Sequence, residues 1–304
     1  MRFPTRFATF SLTAVVLAGA VTNSIAEEPR VPSLIGFEAL QPKLGSPGLR
    51  ILDVRSREDY EKGHLPGAVW VDSKAVRTLT SKPGALTDSG AWTAWIAPLG
   101  ITEELEVLIS DGERQLDAAR LWWLLRYLGV EKVGLIDGNV GLWKAEGRPL
   151  STEVPSVKAT AFPVRLRADR FANRDDVAAA LKGGSAQVVD ARSLAEYVGE
   201  RKSSKRGGHI PTACRLEWSD LVDKNGRFLS KAELKAKVDG LGLKAGEPVI
   251  THCQGGGRAS VDAFVLERLG FPARNYFLGW SDWGNAEETP IVEGEKAGEK
   301  PANR

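Results

Sequence analysis

Short runs of Val, Ile and Leu alternate along this chain with stretches whose apolar residues recur at helical spacing. Val188-Val189, Pro248-Val249-Ile250-Thr251 and residues 275–278 have the length of buried strands, whereas residues 231–238 and 260–269 read as amphipathic helices. Strand and helix in alternation predict an α/β fold, in which a mostly parallel sheet carries helices on both faces. Ligands on such sheets bind beyond the carboxyl ends of the strands, and Cys253 stands at one of those ends. Residues 151–167, rich in Thr, Val and Pro, read as an extended linker. Residues 293–304, charged and rich in Gly and Lys, read as a disordered tail.

The pattern occurs twice. Ile51-Leu52-Asp53-Val54-Arg55-Ser56, followed by Asp59-Tyr60, matches Val188-Val189-Asp190-Ala191-Arg192-Ser193, followed by Glu196-Tyr197. Gly63-His64-Leu65-Pro66 matches Gly208-His209-Ile210-Pro211, and the second copy carries about eight extra residues centred on the basic stretch 200–206. Val107-Leu108-Ile109-Ser110-Asp111 then matches Val249-Ile250-Thr251-His252-Cys253, so Asp111 occupies the place of the cysteine in the first copy. A duplicated unit of about 120 residues predicts two domains, 32–150 and 168–292, joined by the linker.

Cys253 is the residue with chemistry to offer. It ends an apolar run and is followed by Gln254, by Gly255, Gly256 and Gly257, and by Arg258, with a helix beginning beyond. Glycines let backbone N–H groups turn toward one point, and a helix N-terminus adds partial positive charge. That setting favours the thiolate, the nucleophilic form. The bland alternative, a buried cysteine before a glycine turn, leaves the three glycines and the arginine unexplained. Cys214, the other cysteine, reads as a small core residue, with a resolving partner for Cys253 as the sharper alternative. Two cysteines without a CxxC spacing imply neither a disulfide scaffold nor a metal site.

Composition changes the picture at the N-terminus. Arg2 and Arg6, an apolar run over residues 7–21 and the small residues Ser24-Ile25-Ala26 read as a signal peptide, 1–26, which implies a periplasmic or secreted protein. Without that leader the net charge falls from +2 to about zero, which removes any basic bias toward nucleic acid, and no later segment reads as a membrane span.

With these motifs in this order, the chain resembles the tandem-domain rhodaneses, which are thiosulfate and 3-mercaptopyruvate sulfurtransferases. The resemblance runs from about Pro32 to Val292 and rests on Asp-x-Arg-Ser, Gly-His-(Leu/Ile)-Pro and the loop from Cys253 to Arg258. It implies two rhodanese-like α/β domains, with the first inactive through Asp111 and either structural or walling the site at the interface. It also implies a Cys253 persulfide, no cofactor or metal, a small anionic sulfur donor, and a cyanide or thiol acceptor. A thiol reductant or sulfur-acceptor protein would be the partner. The amides of Gln254, Gly255, Gly256, Gly257, Arg258 and Ala259 are expected to hold the persulfide.

Arg258 and Arg192 are expected to bind the donor anion. The alternatives are a carboxylate of its own domain for Arg258 and Glu196 for Arg192. Arg55 repeats the second pattern in a domain without a thiol, which argues for scaffold. His64 and His209 are expected at structural turns, His252 in packing or at the surface, and the tryptophan pairs 122/123 and 280/283 in the core or domain interface. Thiosulfate is favoured as donor because Arg258 is positive, with 3-mercaptopyruvate as the alternative. Rival classes are a non-catalytic persulfide carrier and a cysteine phosphatase, whose Cys-x5-Arg loop is one residue longer than the Cys-x4-Arg found here.

Overall fold

The computed structural model describes Met1 and residues 32–82 and 84–297. The expected leader, apart from Met1, and residues 298–304 of the expected tail lie outside the described residues. The first domain contributes β1 (Ser33–Ile35), β2 (Leu49–Asp53), β3 (Ala68–Trp70), β4 (Glu106–Ser110) and β5 (Val133–Ile136), in spatial order β1-β5-β4-β2-β3. The second contributes β6 (Gln187–Asp190), β7 (Cys214–Arg215), β8 (Val249–His252) and β9 (Ala273–Tyr276), in spatial order β7-β6-β8-β9. Every pairing within both sheets is parallel. The central strands are buried because helices cover both faces: Val107, Leu108 and Ile109 of β4 are wholly buried, as are all four residues of β8, including the polar Thr251 and His252. Among the described residues no helix is long and apolar enough to cross a membrane.

The repeated motifs turn out to be one piece of scaffold built twice. In each copy the arginine forks onto the aspartate two residues before it. Arg55 Nη2 lies 2.7 Å from Asp53, Arg192 Nη2 lies 2.6 Å from Asp190, and each Nη2 also donates at 2.8 Å to a glycine carbonyl, Gly63 or Gly208. His64 stacks on Tyr60 at 3.9 Å and His209 on Tyr197 at 3.7 Å, as expected of turn histidines. Each imidazole Nδ1 also bonds its tyrosine's carbonyl, and each tyrosine hydroxyl donates to a backbone carbonyl at the next strand, Ala68 or Ala213.

The linker is extended and lies on the first domain, with Thr160 N–H donating to Ala97 and Arg165 N–H to Leu128. The segment expected to be disordered from Glu293 is instead held at its start. Val292 pairs antiparallel with His209, and Gly294 N–H donates to Val198.

One hydrophobic core runs through both domains. The first-domain helix Leu116–Tyr127 packs along the second-domain helix Gly257–Arg268. Trp122 meets Phe264 edge-on at 5.0 Å, and Trp123 stacks on Phe277 at 4.7 Å. Trp122 and Trp123 are therefore interface residues, whereas Trp280 and Trp283 fill the second domain's own core. Trp122→Ala is expected to cost about 3–5 kcal/mol in urea denaturation, from lost burial and the cavity left behind. Trp122→Phe should cost much less, because the indole N–H has no hydrogen-bond partner to lose.

Candidate active site

Cys253 directly follows β8 and is 2 % exposed, at the floor of a cleft between the domains. The loop after it is built by tying its carbonyls away from the thiol. Trp280 N–H donates to Cys253 O at 2.7 Å and Ser281 N–H to Gln254 O at 3.0 Å, both from the helix Gly279–Trp283. Asn275 Nδ2, fully buried on β9, donates to Gly256 O at 3.0 Å. A peptide N–H points opposite to its carbonyl, so the N–H groups of this loop are left facing inward. Among the described residues the backbone N–H groups of Gln254, Gly255, Gly256, Arg258 and Ala259 have no acceptor.

The glycines are required by contact. Gly256 caps the helix at φ +77°, and a Cβ there would sit 2.3 Å from the Phe277 ring. A Cβ on Gly257 would meet the Arg120 guanidinium at 2.1 Å. Gln254 turns its side chain outward, donating to Ser203 O at 3.1 Å and Ser204 Oγ at 3.2 Å. The basic insertion is therefore a brace for the loop: Arg206 bonds the carbonyls of Trp283, Ala286 and Thr289, and Trp280 Nε1 donates to Arg206 O.

The two arginines expected to hold the donor are engaged elsewhere. Arg258 lines the cleft but forks onto Glu196, at 2.6 and 3.0 Å, the alternative partner in its own domain. Arg192 does not reach the cleft. It is 1 % exposed, bonded to Asp190 and Gly208, and lies 4.2 Å over the Trp280 ring. Its expected alternative partner, Glu196, is also corrected: that carboxylate belongs to Arg258, and Arg192 takes Asp190. The physical reason is common to both. A buried guanidinium or carboxylate must be paired, and each domain's interior supplies the partner.

Burial opposes ionisation of Glu196, but the hydrogen bonds and charge of Arg258 and the Ser193 bonds hold its pKa down at about 2. Asp190 is likewise at about 2, with burial outweighed by His252, Arg192 and the Arg192 hydrogen bonds. His252 is wholly buried, with Nε2 3.4 Å from Asp190, and burial pushes it down to about 4, so the ring is neutral near pH 7. Cys214 sits on edge strand β7 with its thiol pushed up to about 12 by burial. It is a poor candidate for thiolate chemistry.

The first domain's equivalent loop is self-occupied. Asp111 accepts from Glu113 N–H at 2.8 Å and Ala118 N–H at 3.1 Å, so its carboxylate takes up amides of that loop. A turn of the second domain closes over it, with Asn139 N–H donating to Asn225 O and Gly138 N–H and Gln115 Nε2 to Gly226 O. The same domain nevertheless walls the Cys253 cleft, a cavity of about 420 Å³, through Arg77, Thr80, Leu116 and Arg120. Arg77, Arg120 and Asn275 were missed from sequence. They belong to motifs with no chemical signature, and only domain packing or strand pairing brings them to the loop.

Arg258→Ala should leave the buried Glu196 with only the Ser193 bonds and the distant Arg201, 3.8 Å away, and cost about 3 kcal/mol in denaturant unfolding. The Glu196 carboxylate, with its folded pKa depressed from 4.5 to about 2, contributes stability that is full above about pH 4.5 and is lost as pH falls toward about 2. Glu196→Gln is expected to flatten the stability profile across that window by on the order of 3 kcal/mol. Gly256→Ala should displace the loop and abolish Cys253 reactivity toward iodoacetamide.

A rhodanese-like domain model matches the chain twice, over residues 37–146 and 173–286. The thiosulfate sulfurtransferase of Azotobacter vinelandii is 30 % identical over 263 residues, covering 86 % of this chain and 97 % of that protein. The sulfur carrier protein TtuD of Thermus thermophilus is 33 % identical, with the same coverage. The crystal structure of SseA from Escherichia coli, described as a 3-mercaptopyruvate sulfotransferase, superposes with a TM-score of 0.71 at 27 % identity, over 83 % of this chain and 100 % of that one. Two rhodanese domains in one chain, with full-length relatives of this kind, make the protein a sulfurtransferase belonging to the rhodanese family.

Proposed function

We propose that Cys253 carries the sulfur, as a persulfide formed and discharged by double displacement. The thiolate attacks the outer sulfur of thiosulfate, the S–S bond breaks, and its electron pair leaves with sulfite. Cyanide or a thiol then attacks the terminal sulfur and restores the thiolate. The observation that carries this reading is the run of loop amides without acceptors that follows a single thiol lining a cleft. Such amides stabilise a persulfide anion as an oxyanion hole stabilises an alkoxide. The scheme uses no cofactor and no metal. Asp262, buried with both carboxyl oxygens unpartnered, has its pKa pushed well upward by burial and by the charges of Cys253 and Asp190.

The donor preference inferred from Arg258 loses its basis, because Glu196 neutralises that charge. Thiosulfate remains the first donor to test on the strength of the thiosulfate-using relatives, with 3-mercaptopyruvate second. The phosphatase reading fails on the same pair: an arginine forked onto a carboxylate is not available to wrap a phosphate. The carrier reading keeps support from TtuD. The leader-like N-terminus supports a periplasmic or secreted location, where a thiol reductant or acceptor protein would keep Cys253 in use.

With thiosulfate alone, mass spectrometry should find about 32 Da, one sulfur atom, added at Cys253. With cyanide also present, thiocyanate should form over many turnovers, and Cys253→Ala should abolish both without unfolding the chain. Loading without turnover would select the carrier reading.

A further inference from the structure

Three arginines line the cleft, and two of them are spent: Arg258 on Glu196, and Arg77 on Asp117, both of whose carboxylate oxygens accept from Nη1, at 2.7 and 2.5 Å. The third, Arg120, comes from the domain that has no nucleophile. Its Nη1 donates to Gly255 O at 3.1 Å, inside the cysteine loop. Its Nε is 3.6 Å from Asp117, beyond hydrogen-bond reach, and neither Nε nor Nη2 has an acceptor among the described residues.

The position of this guanidinium is electrostatically unusual. It lies against Gly257, the first residue of the second-domain helix, where an added Cβ would come within 2.1 Å of Nη2. A helix N-terminus carries partial positive charge and favours anions, so a cation there is the reverse of the stable arrangement. Burial adds to the cost, and the charge of Cys253 is the largest influence favouring the cation. A guanidinium, a helix N-terminus and the loop amides thus converge on one small volume beside Cys253, where the nearest carboxylate, Asp117 at 3.6 Å, is already claimed by Arg77. The arrangement becomes favourable when a second anion enters.

We propose that Arg120 forms an interdomain anion subsite that binds the sulfonate or carboxylate end of the sulfur donor while its sulfur faces Cys253. This rests on the sulfurtransfer reading of the site. It also assigns the nucleophile-free domain a binding role, which the Asp111 substitution alone does not suggest. Leu116, Phe277 and Leu278 supply apolar walls beside this subsite, so the charged end of a donor has one place to go. Gly257 is glycine because the subsite needs the room, in addition to the needs of the loop.

The test compares alkylation of Cys253 in the full-length chain by iodoacetate, which is anionic, and iodoacetamide, which is neutral. The wild type should favour iodoacetate relative to a free thiol. Arg120→Gln should slow both reagents through the lost loop contact and charge, but lower the iodoacetate-to-iodoacetamide rate ratio about tenfold, and raise the KM for thiosulfate about 10- to 100-fold, the range of a charged hydrogen bond. Arg120→Lys should retain most of the ratio. Equal slowing of both reagents in Arg120→Gln would mean that Arg120 only positions the loop. A wild-type ratio no higher than that of a free thiol would overturn the subsite whether or not the variants fold. Failure of thiosulfate to load Cys253 would instead overturn the sulfurtransfer reading, and the alkylation ratio would still decide the fate of Arg120.

Discussion

The packing of helix Leu116–Tyr127 against helix Gly257–Arg268 is the contact on which the rest of this structure depends. It buries Trp122, Trp123, Phe264 and Phe277 in a core shared by both domains. It also sets the N-terminus of the cysteine helix against Arg120. Because the two domains are copies, the contact is roughly reciprocal: each domain reaches over the other's loop. The consequences differ. Over the first domain the Asn225-Gly226 turn closes directly on the loop, whereas over the second, the first-domain helix Ser73–Thr80 helps to line an open cleft. One geometry, repeated, yields one loop whose amides are taken by its own aspartate and one loop that carries a cysteine.

The cysteine loop achieves its polarity through the backbone. Every carbonyl from Cys253 to Gly256 has a donor: Trp280 N–H, Ser281 N–H, Arg120 Nη1 and Asn275 Nδ2 respectively. With the carbonyls so occupied, the N–H groups of Gln254, Gly255, Gly256, Arg258 and Ala259 remain without acceptors among the described residues. Charged side chains play the opposite role. Arg192–Asp190 and Arg258–Glu196 are closed pairs that hold strand ends and the loop's far side in place, and their cost of burial is offset by near-ideal forks. An arginine in a conserved-looking repeat is therefore a weaker indicator of substrate binding than an arginine left with free donors.

The duplication was the most legible property of the chain, because matching motifs need no structure to be compared. The same comparison argued that Arg192 was partly scaffold, since Arg55 repeats it beside Asp111, and the buried pairs bear this out. What misled was proximity in sequence. Glu196 lies four residues from Arg192 but turns toward Arg258, because the capping box with Ser193 places its carboxylate at the helix start, on the loop side. In the insertion 200–206, residues 200–203 and 205 are exposed, as the charge of the stretch suggests, whereas Arg206 bonds three carbonyls of the C-terminal segment.

Periodicity, repetition and the residues around Cys253 by themselves determined the α/β class, the two domains and the nucleophile, because these are local or self-comparing properties. Which cations face the substrate was decided only by the tertiary structure. A guanidinium is available when nothing nearby claims it, and that depends on the carboxylates and carbonyls brought beside it by folding. Arg258 and Arg192 found partners within their own domain. Arg120, with no motif to mark it, keeps free donors because packing between the domains sets it against a helix N-terminus and because its nearest carboxylate, Asp117, is hydrogen-bonded to Arg77.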